Sequence, residues 1–173
     1  MIKITLILVI LTYICSGGYF YYHSDLFEVL MITFGTCSYH FLMRLVVGAL
    51  IPQERIDPSH RWFKERSWEP AFYKVIKIKS WKNSMPTFNQ ELFSVKDLSY
   101  QEILQNMCGA EVVHEVIIVL SFLPLLCIPY LGGMPAFLIT SILAALVDLS
   151  FVCLQRFNRP RIVKIIDRRK KRS

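Results

Sequence analysis

Four apolar runs, separated by stretches of very different character, set the pattern of this chain. The first, Ile2–Phe20, is almost uniformly apolar after Lys3 and long enough to cross a bilayer core of about 30 Å. Small residues at Cys15-Ser16-Gly17-Gly18 raise the alternative of a cleaved signal peptide. No A-x-A-like site follows them, and Tyr19–Tyr22 has the character of an interfacial aromatic belt. The expectation is an uncleaved first span over 2–20. A second span is expected over 27–50, closed by Pro52 and interrupted by Glu28, His40 and Arg44. His40 and Arg44 are four apart and so share one helical face. They are expected either to face a polar interior or, for Arg44, to snorkel to the headgroups.

Residues 52–98 change in kind. Arg55, Arg61, Lys64, Arg66, Lys74, Lys77, Lys79 and Lys82 alternate with Trp62, Phe63, Trp68, Phe72, Tyr73 and Trp81. Such interleaving suits a surface lying among lipid headgroups. Val75-Ile76-Lys77-Ile78-Lys79 partly alternates, which leaves a short strand and a bent interfacial helix both open. Asn83-Ser84-Met85-Pro86 signals a turn. Ser99 with Glu102 three residues later has the form of a capping box. It opens a helix that leads into a third span over 111–131, with Pro124 and Pro129 marking a kink or an end. Leu131-Gly132-Gly133-Met134-Pro135 is an uncharged turn, and 136–154 forms the last span, interrupted by Asp148.

Composition agrees with the pattern. The 173 residues are 54% hydrophobic and 19% charged, with a formal net charge of +7. That places the chain with integral membrane proteins as a single membrane domain, 1–173. The positive charge does not imply nucleic acid, because the cations flank apolar runs where anionic lipid is the simpler partner. The basic loop and the basic tail, 156–173, contrast with two short connections that contain no Lys or Arg. By the positive-inside rule both termini and the loop are expected on the cytoplasmic side. The expected fold is all-α, four transmembrane helices in two hairpins with a cytoplasmic amphipathic loop. The five cysteines show no C-x-x-C spacing and read as small hydrophobes.

Two constellations can carry chemistry. Glu111-x-x-His114 places a carboxylate and an imidazole on one helical face, the pairing used when His takes a proton from an attacking hydroxyl. Glu115 points about 100° away around the helix. An interfacial polar turn without catalytic role is the competing reading. A di-metal site would need a second Glu-x-x-His, and none occurs, so no metal is expected. Gln155-Arg156-Phe157-Asn158-Arg159-Pro160-Arg161 brings three guanidinium groups to the end of the last span. Arg156, Arg159 and Arg161, like Lys77, Lys79 and Lys82, can hold a phosphate-rich cosubstrate or simply anchor the chain to anionic lipid. Asp148, deep in its span, calls for a partner such as Arg44 or His40, or for a proton of its own.

Three blocks of the sequence resemble the glycosyl-4,4'-diaponeurosporenoate acyltransferases, small bacterial membrane enzymes. The blocks are Ile78-Lys79-Ser80-Trp81-Lys82 with Met85-Pro86, then Ala110-Glu111-Val112-Val113-His114 leading to Leu123-Pro124, and Gln155–Arg161. They fall in the family's order between about Tyr39 and Ile166, and the third is the most specific. Glu115 stands where the family commonly has Trp, Asp148 where Asn is common, and Thr87-Phe88 where Asp-Gly is frequent.

The resemblance implies a multi-pass enzyme of the bacterial cell membrane that moves a fatty acyl group to a sugar hydroxyl of a lipid-like acceptor, such as a glycosyl-carotenoid. Its thioester donor would be acyl-CoA or an acyl carrier protein, with no bound cofactor. Membrane lipids and the lipid-like acceptor are the expected partners, with assembly into an oligomer or enzyme complex open. On chemistry, His114 is the expected base and Glu111 its orienting group. Lys79, Trp81, Lys82, Gln155, Arg156, Asn158, Arg159 and Arg161 are expected to bind substrate. His40, Arg44 and Asp148 form a separate intramembrane polar set. The alternative is a non-catalytic subunit or lipid-binding scaffold, and a proton-coupled transporter stands behind both.

Overall fold

A computed structural model describes residues 1–85, 90–94 and 96–172. Pro86, Thr87 and Phe88, which the turn signal and the family comparison touch, lie outside the described residues. Among the described residues seven α-helices follow in order: α1 (Ile2–Tyr22), α2 (Asp25–Leu50), α3 (Glu69–Val75), α4 (Ile78–Trp81), α5 (Tyr100–Leu120), α6 (Ile128–Leu131) and α7 (Met134–Lys170). Short 3-10 turns join several of them, and there is no β-strand among the described residues. Four helical stretches are long and apolar enough to cross a membrane: Ile2–Tyr22, Asp25–Leu50, Tyr100–Leu131 and Met134–Lys170. The all-α architecture with four spans expected from the hydrophobic pattern is the one observed.

The chain packs as two compact units, Met1–Ile51 with Glu115–Leu149, and Pro52–His114 with Ser150–Ser173. In the first unit α1 and α2 form a hairpin. His23 takes a left-handed conformation (φ 47°) and its N–H donates to Tyr19 O at 2.9 Å, ending α1. Close approach at the hairpin requires glycine: a Cβ on Gly18 would meet the Phe27 ring at 2.6 Å. Gly132 and Gly133 are both left-handed, and a side chain on Gly133 would run into Ile32. Glycine is the residue that adopts this backbone without strain. Apolar side chains such as Ile10, Ile14, Val119, Leu126 and Leu143 stand exposed, the kind of surface that hydrocarbon covers and water does not tolerate over large areas.

The first unit buries an ion pair. Arg44 donates to Asp148, and also to Ala144 O (3.2 Å) and to His40 O (3.0 Å). Asp148 is 0% exposed. Of the partners open to this aspartate, Arg44 is the one that takes it, because a paired charge is far less costly in an apolar interior than a lone one. His40 is buried one helical turn from Arg44, and its ring nitrogens have no hydrogen-bond partner among the described residues.

The second unit converts the basic-aromatic stretch into short helices around the neighbouring turns of α5 and α7. Pro70 sits in the first turn of α3, where its missing N–H removes no helical bond. Left-handed Lys77 (φ 49°) separates α3 from α4, so the stretch left open between strand and bent helix is helical, broken at one residue. Tyr73, Ile78 and Cys153 are buried together, with Ile76, Trp81 and Phe157 packed against them. The capping box closes reciprocally: Ser99 N donates to Glu102 Oε2 (2.7 Å) and Glu102 N to Ser99 Oγ (3.2 Å). Gly109 lets α5 lie against Gln53, whose Cβ would be 2.6 Å from an added methyl. Gln105 ties down the same segment by donating to Gln53 O at 2.9 Å.

One element outruns its expected bounds. The last span was expected to stop near 154 and give way to a basic tail, yet α7 continues to Lys170 through Pro160. A proline inside a helix deletes one backbone bond, here to the carbonyl of Arg156, and usually kinks or ends it. Packing around Tyr73 and Phe157, including their edge-to-face ring contact at 5.5 Å, accompanies the continuation here. Arg168, Arg169 and Lys170 then stand in the last turn, where cations meet the negative end of the helix dipole.

Candidate functional site

Because α7 is helical through 154–162, the polar stretch at the end of its apolar run is divided between faces. Phe151, Leu154, Gln155, Asn158 and Ile162 follow the three-four spacing of one face. On α5 the matching set is Ile103, Asn106, Met107, Ala110 and His114. Both sets, with Val113, Lys82, Asn83 and the 92–93 turn, line one cavity of about 450 Å³ within the second unit. His114 stacks on Phe151, ring centroids 4.7 Å apart and planes 12° from parallel. Asn106 donates to Leu92 O at 2.8 Å, which holds the 90–93 turn at the cavity. The cavity therefore offers an imidazole, the Lys82 ammonium and five side-chain amides, Gln53, Asn83, Asn106, Gln155 and Asn158, among apolar side chains. Such a lining, mostly apolar with a few convergent polar groups, is the usual make-up of a small-molecule site.

A second face of the same helices carries a buried ionic cluster. Arg156 donates from Nε (3.1 Å) and Nη2 (2.8 Å) to Glu69 Oε1, and from Nη1 (2.7 Å) to Glu111 Oε1. Its Nη2 also reaches Trp62 O at 3.3 Å. Arg159 donates to the other Glu111 oxygen, lies 3.7 Å from Cys108 Sγ, and rests over the Phe63 ring at 5.2 Å. Glu69, Glu111 and Arg159 are 1%, 0% and 4% exposed. Two carboxylates and two guanidinium groups cancel, which is the condition for keeping charges out of water. Tyr73 completes the group by donating to Glu69 Oε2 at 3.1 Å. Burial first, then the adjacent Glu69 charge, pushes the Tyr73 hydroxyl well above the ordinary tyrosine range, so it stays protonated and donating at neutral pH.

The expected site residues thus separate into three groups. His114, Lys82, Gln155 and Asn158 meet at the amide-lined cavity. Glu111, Arg156 and Arg159 are held by one another and by Glu69, so the two arginines expected to hold phosphate already have carboxylate partners. Lys79 and Arg161 line another cavity in the same unit, described below. Trp81 is an anchor: its indole N–H donates to Ile76 O at 2.9 Å and the ring packs on the Tyr73 cluster. His40, Arg44 and Asp148 lie in the other unit.

Asn106, Phe151, Glu69 and Tyr73 were missed. The first two fall at helical spacing from His114 and Gln155, a signal that extending the periodicity would have found. Glu69 shows in the sequence only as an acid within a basic run, and no spacing rule links it to Arg156, eighty-seven residues away.

Neither the curated proteins nor the solved structures yield a match to the chain. A family model does match, over residues 59–168, which is well over half of the sequence and contains the ionic cluster and, apart from Gln53, the residues that line the cavity of His114. With that match over the segment that builds the site, the chain belongs to the glycosyl-4,4'-diaponeurosporenoate acyltransferase family.

Proposed function

We propose that this protein transfers a fatty acyl group from a thioester donor to a hydroxyl of a glycolipid-like acceptor, and that the reaction takes place in the cavity of His114. The glycosylated diaponeurosporenoate in the family's description is the acceptor class that motivates the glycolipid. The observation that carries the proposal is the convergence of His114 with the amides of Asn106, Gln155 and Asn158 on one apolar cavity, inside the matched segment.

The chemistry follows from that lining. A sugar hydroxyl bound among the amides loses its proton to His114 as its oxygen attacks the thioester carbonyl carbon. The tetrahedral intermediate carries its charge on the former carbonyl oxygen, which amide N–H groups in an apolar surround stabilise better than water does. Collapse breaks the carbon–sulfur bond, and the departing thiolate takes the proton from His114, leaving ester and free thiol. Glu111 acts as a positioning residue: by holding Arg156 and Arg159 it fixes the turn of α7 that carries Gln155 and Asn158. We read the chain as a multi-pass protein of the cell membrane with both termini cytoplasmic, a reading supported by four apolar helices and the distribution of Lys and Arg.

The test is acyl transfer by purified protein in lipid nanodiscs, with lipid extracts of cells with and without the protein identifying the acceptor. His114→Ala should lower the rate by about 10²–10⁴, the range of a general base. Full activity in a folded His114→Ala protein would exclude His114 as the base.

A further inference from the structure

Beside the ionic cluster, the second unit holds a cavity of about 520 Å³ whose charged lining residues are mostly basic. Among the described residues Lys74, Lys77, Lys79, Arg161 and Lys164 line it, against one carboxylate, that of Glu65. Among the described residues none of these five cations forms an ion pair, in contrast to Arg156 and Arg159, which are matched by two glutamates. Five like charges around one concavity repel one another until an anion enters, and a concave basic surface concentrates anions. Arg161 supplies a planar fork suited to phosphate oxygens, and its guanidinium lies over the Phe157 ring at 5.1 Å. Lys77 is presented by a left-handed backbone (φ 49°), a conformation that non-glycine residues rarely hold and that tends to occur at functional positions. Tyr73, Ile78 and Phe157 give the cavity an apolar wall, which a base or other planar group can lie on and a bare inorganic ion would not use.

We infer that this basic cavity binds the phosphate groups of a coenzyme-type acyl thioester, an assignment that rests on the acyl-transfer reading above. Phe157 connects it to the site of reaction. Its ring lines the basic cavity, and Lys82, whose ammonium lies 5.5 Å over the same ring, lines the cavity of His114. A donor with its phosphates among Lys77, Arg161 and Lys164 would pass its thiol arm by Phe157 and Lys82 toward the imidazole. The phosphate site is therefore moved off Arg156 and Arg159 and onto the neighbouring face of α7, with Lys74 and Lys164 added.

The probe is adenosine 3',5'-bisphosphate, which carries the phosphates but no thiol and cannot react. Its binding to full-length protein is measured by calorimetry in nanodiscs of zwitterionic lipid. Wild type and His114→Ala should bind alike, and Lys77→Gln/Arg161→Gln should bind at least tenfold more weakly. Lys79→Gln and Lys164→Gln, both at exposed positions, give a smaller loss of about threefold each if the double variant does not fold. Equal binding by wild type and the charge variants overturns the site, as does no binding by wild type. Loss of probe binding in phosphatidylglycerol nanodiscs, with none lost on adding soluble inorganic phosphate, assigns the cavity to lipid headgroups and overturns the donor assignment. Binding that follows these charges while wild type transfers no acyl group leaves the phosphate site standing and removes the reaction proposed above.

Discussion

Glu111→Gln is the most informative single change in the ionic cluster, because it removes one charge and almost no volume. In the native arrangement Glu111 divides its oxygens between Arg156, at 2.7 Å, and Arg159. Arg156 keeps a second carboxylate, Glu69, at 2.8 Å. Among the described residues Arg159 has besides only a sulfur at 3.7 Å and the Phe63 ring. The neutral amide therefore strands the Arg159 charge at 4% exposure. Breaking a buried pair in this way destabilises by about 3–5 kcal/mol, since the remaining ion is uncompensated. For a chain of this length each kcal/mol moves the melting midpoint by about 2–4 °C, so a drop of about 6–20 °C is expected. The assay is thermal unfolding of detergent-solubilised protein followed by fluorescence-detected size exclusion. The decisive comparison is Glu111→Gln/Arg159→Met, which removes both charges and leaves the Arg156–Glu69 pair intact. It should recover at least half of the midpoint lost by Glu111→Gln, because a charge-balanced apolar replacement is close to neutral. A double variant no more stable than the single one would refute the view that uncompensated charge, rather than lost shape, governs this cluster.

Two further outcomes follow from the same physics. Arg44→Leu or Asp148→Leu alone leaves an unpaired charge in an apolar helix and should sharply reduce folded protein, whereas Arg44→Leu/Asp148→Leu should restore it; monodisperse yield from membranes is the measurement. For Tyr73 the sign of the pH effect is fixed by its raised value. Its contribution is full below the ordinary tyrosine range of about 10 and declines above it, where the unfolded chain ionises and the folded hydroxyl does not. Tyr73→Phe should therefore be less stable than wild type at neutral pH and should lose less stability between pH 9 and 11, as read from melting midpoints.

The apolar pattern made the four spans and the glycine turn at 132–133 legible, because span length and turn chemistry are local properties of a sequence. The same holds for the capping box of α5, where Ser99 and Glu102 need only three residues of separation to satisfy each other. Pairing across distance was not legible. Glu69 and Arg156 meet only after the short helices of the middle stretch have folded against α7, and hydrophobic periodicity carries no information about which distant acid a given arginine finds. Arg44 and Asp148 were recoverable as candidates for one another only because charges inside apolar spans are so few.

The division of Gln155–Arg161 among three faces was not legible for a more instructive reason. Taken as the boundary of a span followed by a loop, its three arginines, Gln and Asn could all converge on a single ligand. A continuous helix forbids this, since each successive side chain turns by about 100°. Gln155 and Asn158 reach the cavity of His114, Arg156 and Arg159 close the buried ionic cluster, and Arg161 turns to the basic cavity with Lys77 and Lys164. Each face then has its own tolerance. Arg159→Lys should disturb the cluster, because an ammonium cannot reproduce a guanidinium that donates to Glu111 while resting over the Phe63 ring. Arg161→Lys keeps the charge that a phosphate requires. Gln155, Arg156, Asn158 and Arg159 are placed by the helix ahead of Pro160, and its continuation through that proline carries Arg161 to the basic cavity.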